Sequence, residues 1–140
     1  ARELVSAVRT AKQFLTYVSG GPFQYAVAEA LRMPDHYYTG LRDALLRKRD
    51  LLVAGLAAAG FEVYEPAGTY FITTDAKPLG EKDGVEFCRS LPARCGVVAI
   101  PNAVFYDDPE AGRTQVRFAF CKRDEILKEA ATRLASLGHP

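Results

Sequence analysis

Apolar residues recur at intervals of three and four from Leu4 to about Val18, through Val5, Val8, Ala11 and Leu15, which is the period that lays one apolar stripe along a helix. Ser19-Gly20-Gly21-Pro22 ends that helix. A second, short one is expected from Phe23 to about Leu31, and Met33-Pro34-Asp35 breaks it because the residue before a proline avoids helical angles. Asp35 can cap a third and longest helix, with Tyr38, Leu41, Leu45, Leu52 and Leu56 as its stripe and Arg42, Arg47, Lys48, Arg49 and Asp50 mainly on a solvated face. Gly60 supplies its stop, which makes the helix roughly 35 Å long at about 1.5 Å per residue.

After Gly60 the period changes to two. Phe61-Glu62-Val63-Tyr64 and Thr69-Tyr70-Phe71-Ile72-Thr73-Thr74 read as strands joined by a tight turn at Glu65-Pro66-Ala67-Gly68. Asp83 to about Arg94 reads as a helix with Val85, Phe87, Cys88 and Leu91 inward, followed by an apolar strand from Val97 to Ile100 that Pro101 ends. Tyr106 to Gly112 is a loop, Gln115 to Cys121 a strand, and Asp124 to about Leu137 a closing helix stopped by Gly138. Three helical segments followed by strands interleaved with two helices define an α+β (α/β layer) domain, a small sheet covered by helices.

Composition narrows the function without naming it. At 140 residues and 49% hydrophobic content, one compact domain is the default, and a chain of this size buries roughly two thirds of its unfolded surface. A net charge of +1 supplies no field for nucleic acid or anionic lipid, so neither is expected as a partner. The apolar stretches are far short of the roughly 20 residues that span a bilayer, so no membrane association is expected and the chain reads as cytoplasmic. Cys88, Cys95 and Cys121 form no CxxC pair and suit reduced thiols. The chain opens on Ala1 inside a helical pattern and its one methionine is Met33, as expected of a piece of something longer.

Arg117 is the residue with the most chemistry in it. Alternation through Gln115-Val116-Arg117-Phe118-Ala119-Phe120-Cys121 puts Val116, Phe118 and Phe120 on one face and Arg117, Ala119 and Cys121 on the other, so the guanidinium stands beside small neighbours. It is either exposed, or paired inside the protein, or a clamp for a ligand anion. Other constellations are poorer. His36 and His139 lie far apart, which leaves no histidine metal site and no Cys/His nucleophile pair, and no metal is expected. Asp107, Asp108 and Glu110 read as a solvated acidic loop, and Gly20-Gly21 lacks the spacing of a phosphate loop.

Three motifs in order change this balance: Ala67-Gly68-Thr69-Tyr70-Phe71, then Gly96-Val97-Val98-Ala99-Ile100-Pro101 with Phe105, then Val116-Arg117-Phe118-Ala119-Phe120-Cys121-Lys122. Together they resemble the C-terminal part of the class I/II aminotransferases, pyridoxal-phosphate enzymes of fold type I. The front half agrees through Val8-Arg9-Thr10-Ala11-Lys12-Gln13 and Gly21-Pro22-Phe23-Gln24. The closest flavour is the branch of kynurenine-glutamine transaminases and N-succinyldiaminopimelate aminotransferases.

The resemblance implies the small C-terminal domain over residues 21–140, preceded over residues 1–20 by the end of the large domain's last helix. It implies ping-pong transfer of amino groups between α-amino and α-keto (2-oxo) acids, with Arg117 gripping the substrate α-carboxylate as a planar fork of donors. Asn102 and Phe105 fall in a loop that borders the substrate pocket, where Asn102 and Ala103 depart from the usual glycine or serine after the proline. Tyr70 and Phe71 either line that pocket or pack in the core. Tyr17 matches a region that sends an aromatic into the neighbouring subunit's site, which implies a homodimer.

The lysine that carries pyridoxal 5'-phosphate has no counterpart here. Lys12, Lys48, Lys77, Lys82, Lys122 and Lys128 read as solvated surface, so no catalytic residue is assigned in this chain and its cofactor-binding residues are unknown. Alone, the chain is expected to be inactive. The alternatives are a β-lyase or decarboxylase of the same fold, or a non-catalytic binding or assembly module. Surfaces near Tyr17, Phe23, Phe105 and Arg117 that would meet the chain's own large domain are expected to be exposed.

Overall fold

The computed structural model describes residues 2–16 and 20–138. They divide into two compact units, residues 1–39 and 40–140. The first holds helix α1 (Arg2–Thr16), helix α2 (Gly21–Ala30) and the start of α3 (Asp35–Ala58). Its apolar stripe is open, with Leu4, Val8 and Leu15 on α1 and Phe23 and Tyr25 on α2 all exposed. Helix α2 begins two residues before Phe23, because Pro22 sits in its first turn, where a missing N–H costs nothing.

In the second unit α3 is followed by β1 (Glu62–Tyr64), β2 (Phe71–Asp75), α4 (Gly84–Cys95), β3 (Ile100–Pro101), β4 (Gln115–Ala119) and α5 (Asp124–Leu134). The strands form one sheet in the order β1-β2-β4-β3, each pair antiparallel. The sheet has two unlike faces. Ile72, Thr74, Val116 and Phe118 point to the buried one, where they join Leu52 and Leu56 of α3, Phe87 and Leu91 of α4, and Leu127 and Leu134 of α5. Phe61 stands edge-on to Phe87 and Phe118 at 5.9 and 5.5 Å. Each such side chain contributes about 1.5–3 kcal/mol by leaving water.

Gly55 lets α3 and α5 close on each other, since a Cβ there would lie 2.5 Å from Ala131 Cβ. Gly60 and Gly96 end α3 and α4 at φ values of +94° and +71°, which L side chains rarely adopt. Asp83 caps α4, its carboxylate accepting from the N–H groups of Val85 at 2.8 Å and Glu86 at 3.1 Å.

Three expectations need correction. The β1–β2 connection is not a tight turn, because the strands pair only from Tyr64 and Thr73 outward and Thr69 takes a left-handed φ of 65°. The apolar run from Val97 to Ile100 pairs only at Ile100 and Pro101; Val97 and Ala99 are buried by packing instead. Arg49 is not solvated. Its side chain is 19% exposed and binds Asp50, Glu65 and the Pro66 carbonyl.

Candidate functional site

The half-open face of the sheet carries Phe71, Thr73 and Asp75 from β2 and Gln115, Arg117 and Ala119 from β4, because register pairs them as Phe71 with Ala119, Thr73 with Arg117 and Asp75 with Gln115. Arg117 is half-buried at the centre of this face, with Ile100 of β3 across from it on the other flank. Its guanidinium carbon lies 4.7 Å from the centre of the Phe71 ring and 4.0 Å from that of Phe105. Such cation–π contacts hold the group without using any of its N–H donors.

No ion pair of Arg117 is found among the described residues, whereas Arg49, Arg94, Arg113 and Arg133 each have a carboxylate partner. A half-buried guanidinium without a carboxylate partner keeps donors that could serve an oxyanion. Beside it opens a cavity of about 570 Å³, bordered by Tyr70, Phe71, Val98, Ile100, Arg117, Lys122 and Ile126. Its walls are mainly apolar, with the Glu129–Arg133 pair and Lys122 as further polar groups.

The structure brings Arg117 and Tyr70 to this cavity together, and Tyr70 is exposed with its ring edge-on to Phe71 at 5.7 Å. Phe105 is exposed and touches Arg117 from the loop after β3. Asn102 is 8% exposed. Its amide nitrogen donates to Thr73 Oγ1 and to Gln115 Oε1, both at 3.4 Å, and the Tyr106 hydroxyl donates to the same Gln115 oxygen at 3.3 Å. Tyr17 and His139 lie outside the described residues. Phe23, expected to be exposed, is so.

Sequence reasoning left Phe71 open between core and pocket and did not see Thr73, Gln115 and Tyr106 at all. Alternation assigns Phe71 and Thr73 a common face, but only register sets them beside Arg117. Among the described residues no group of three or more histidine, cysteine, aspartate or glutamate side chains is placed to hold a metal ion, and no helix is long and apolar enough to cross a membrane.

An arginine fork without a carboxylate partner among the described residues thus stands beside a mainly apolar cavity. Comparison with known proteins gives the chain a family. The model of the family "Aminotransferase class I and II" matches residues 1–134. A probable N-succinyldiaminopimelate aminotransferase of Mycobacterium tuberculosis is 49% identical over 96% of this chain and 36% of its own length. A kynurenine–oxoglutarate transaminase of Dictyostelium discoideum is 30% identical over 96% of this chain and 35% of its own. The solved structure of N-succinyldiaminopimelate aminotransferase from M. tuberculosis superposes with a TM-score of 0.77 at 49% identity, over 98% of this chain and 36% of that one. This chain belongs to the class I and II aminotransferases, and it spans about a third of the length of these relatives.

Proposed function

We propose that this chain is the C-terminal small domain, residues 21–140, with the end of the large domain's last helix in residues 1–20, of an aminotransferase that moves amino groups between α-amino and α-keto acids. Arg117 grips the α-carboxylate of both substrates. The observation that carries this reading is its half-buried guanidinium, in contact with Phe71 and Phe105 and with no ion pair among the described residues, in a chain of this family.

A carboxylate accepting two parallel bonds from the fork fixes orientation as well as affinity, and so aims the α C–H bond. Tyr70 borders the substrate from the cavity wall, Phe105 through its contact with Arg117 from outside that wall, and Asn102 sits in the loop that carries Phe105. On this reading the enzyme is a cytoplasmic homodimer.

Membership of this family implies pyridoxal 5'-phosphate, which when bound supplies the electron sink for chemistry at the α-carbon. On this reading most of the groups that bind it belong to the large domain. Lys48 lies 3.9 Å from Asp124, and Lys12, Lys77, Lys82, Lys122 and Lys128 stand at exposed positions. On this reading the chain by itself is inactive, and its own contribution is to bind and orient.

Incubating the intact enzyme with an amino acid and 2-oxoglutarate tests the reading. Glutamate is the expected product, whereas pyruvate and ammonia would make it a β-lyase of the same fold. A reading frame that starts near Ala1, with no cofactor lysine before it, would sink the enzyme reading in favour of a binding or assembly module.

A further inference from the structure

The loop after β3 is built tightly for a surface loop. Asn102 opens a single turn of 3-10 helix, Asn102–Phe105, and is buried although polar. Its two amide bonds reach two different strands: Thr73 on β2 and Gln115 on β4. Thr73 is the cross-strand partner of Arg117, so Asn102 is fastened to the residue directly beside the guanidinium's own strand position.

A second anchor acts further along. Tyr106 donates to Gln115 and packs over Gly112, where an added Cβ would come within 2.7 Å of the ring. Phe105 lies between these two anchors.

The sheet order explains what Phe105 does there. Phe71 comes from β2, beside β4, and Phe105 from the loop after β3, so two separate segments each bring a ring to Arg117. Aromatic contacts of this kind restrain a guanidinium while leaving its N–H edge free for two parallel bonds. Each Asn102 bond is long at 3.4 Å. The pair nevertheless satisfies an amide that burial would otherwise leave costly.

We propose that Asn102 is a positioning residue for Arg117: it latches the loop to β2 and β4, so that Phe105, together with Phe71, holds the guanidinium edge-on to an incoming planar carboxylate. Asn102 acts without touching the substrate. This rests on the reading of Arg117 as a carboxylate clamp.

The test uses the 140-residue chain labelled with nitrogen-15, following the Arg117 Nε–H resonance and titrating with propionate. In the wild type, the Phe105 ring shifts that resonance. Phe105→Leu and Asn102→Ala are each expected to abolish the shift and weaken propionate binding about fivefold. The double variant is expected to be no weaker than either single one, because both act through the same contact. Methyl resonances of Ile72 and Val116 report whether the core survives. Where Asn102→Ala does not fold, Thr73→Val, which keeps a β-branched strand residue, carries the same expectation. An unmoved Arg117 resonance in the latch variants overturns the proposal, as do losses that multiply in the double variant, since Asn102 would then bind the carboxylate itself. A wild-type Arg117 resonance that ignores propionate overturns the clamp reading, and the shift in the unliganded variants still decides the latch.

Discussion

Arg49 and Arg117 are both arginines in the second compact unit with much of the side chain out of water, yet they are spent differently. Arg49 reaches from α3 to the β1–β2 connection. Its Nε and Nη2 donate to Asp50 at 2.9 and 2.7 Å, its Nη1 to the Pro66 carbonyl at 3.1 Å, and Glu65 pairs with it at 3.0 Å. Its donors are used in joining a helix to a loop. Arg117 has aromatic faces where Arg49 has oxygens, so its position is held by Phe71 and Phe105 and its donors remain for something else. What separates an arginine spent on the fold from one that is not is therefore the local supply of oxygens rather than burial.

The comparison breaks most visibly at Arg117. Arg117→Lys keeps the charge but loses the planar fork, and is expected to lower kcat/KM of the intact enzyme by about 100-fold. Stability in urea is expected to change by no more than about 0.5 kcal/mol. Full activity with lysine would mean that a point charge suffices.

Gly55→Ala attacks the helix that carries Arg49. The added methyl meets Ala131 at 2.5 Å, so a loss of about 2 kcal/mol is expected from overpacking, measured by chemical unfolding. Arg49→Ala removes the bonds themselves. It is expected to cost about 1 kcal/mol, since its carboxylate partners are solvated, and to leave KM unchanged. A change in KM would blur the distinction between the two arginines.

Asp83 offers the mirror case, an anion satisfied at home. The Glu86 N–H, then that of Val85, and more weakly Arg113 and Arg89, hold its carboxyl below the usual range in spite of some desolvation. A folded pKa below the unfolded one gives stability that is present above about pH 4 and lost as pH falls through the folded value. Asp83→Ala is expected to lower the unfolding midpoint at neutral pH, and thermal melts at falling pH are expected to bring it progressively closer to wild type.

Much of this was legible in the chain itself. The three-and-four spacing from Asp35 to Gly60 located α3 because a helix repeats every 3.6 residues regardless of its neighbours. Alternation through Val116, Arg117 and Phe118 assigned their faces for an equally local reason. Arg49 was misjudged because its partners Glu65 and Pro66 lie far along the chain, across a connection whose path depends on the left-handed Thr69. Asn102 was picked out as a departure from a motif, while its bonds to Thr73 and Gln115 could not be read from spacing.

The sequence by itself determined the helices, the two faces of β4, the family resemblance and Arg117 as the residue to watch. These follow from short-range periodicity and from motifs in order along the chain. Tertiary structure alone decided which arginine was satisfied and which was not. That choice depends on the β1-β2-β4-β3 order and its register, which bring Phe71 and Phe105 to one guanidinium and place Asn102 against its neighbour Thr73.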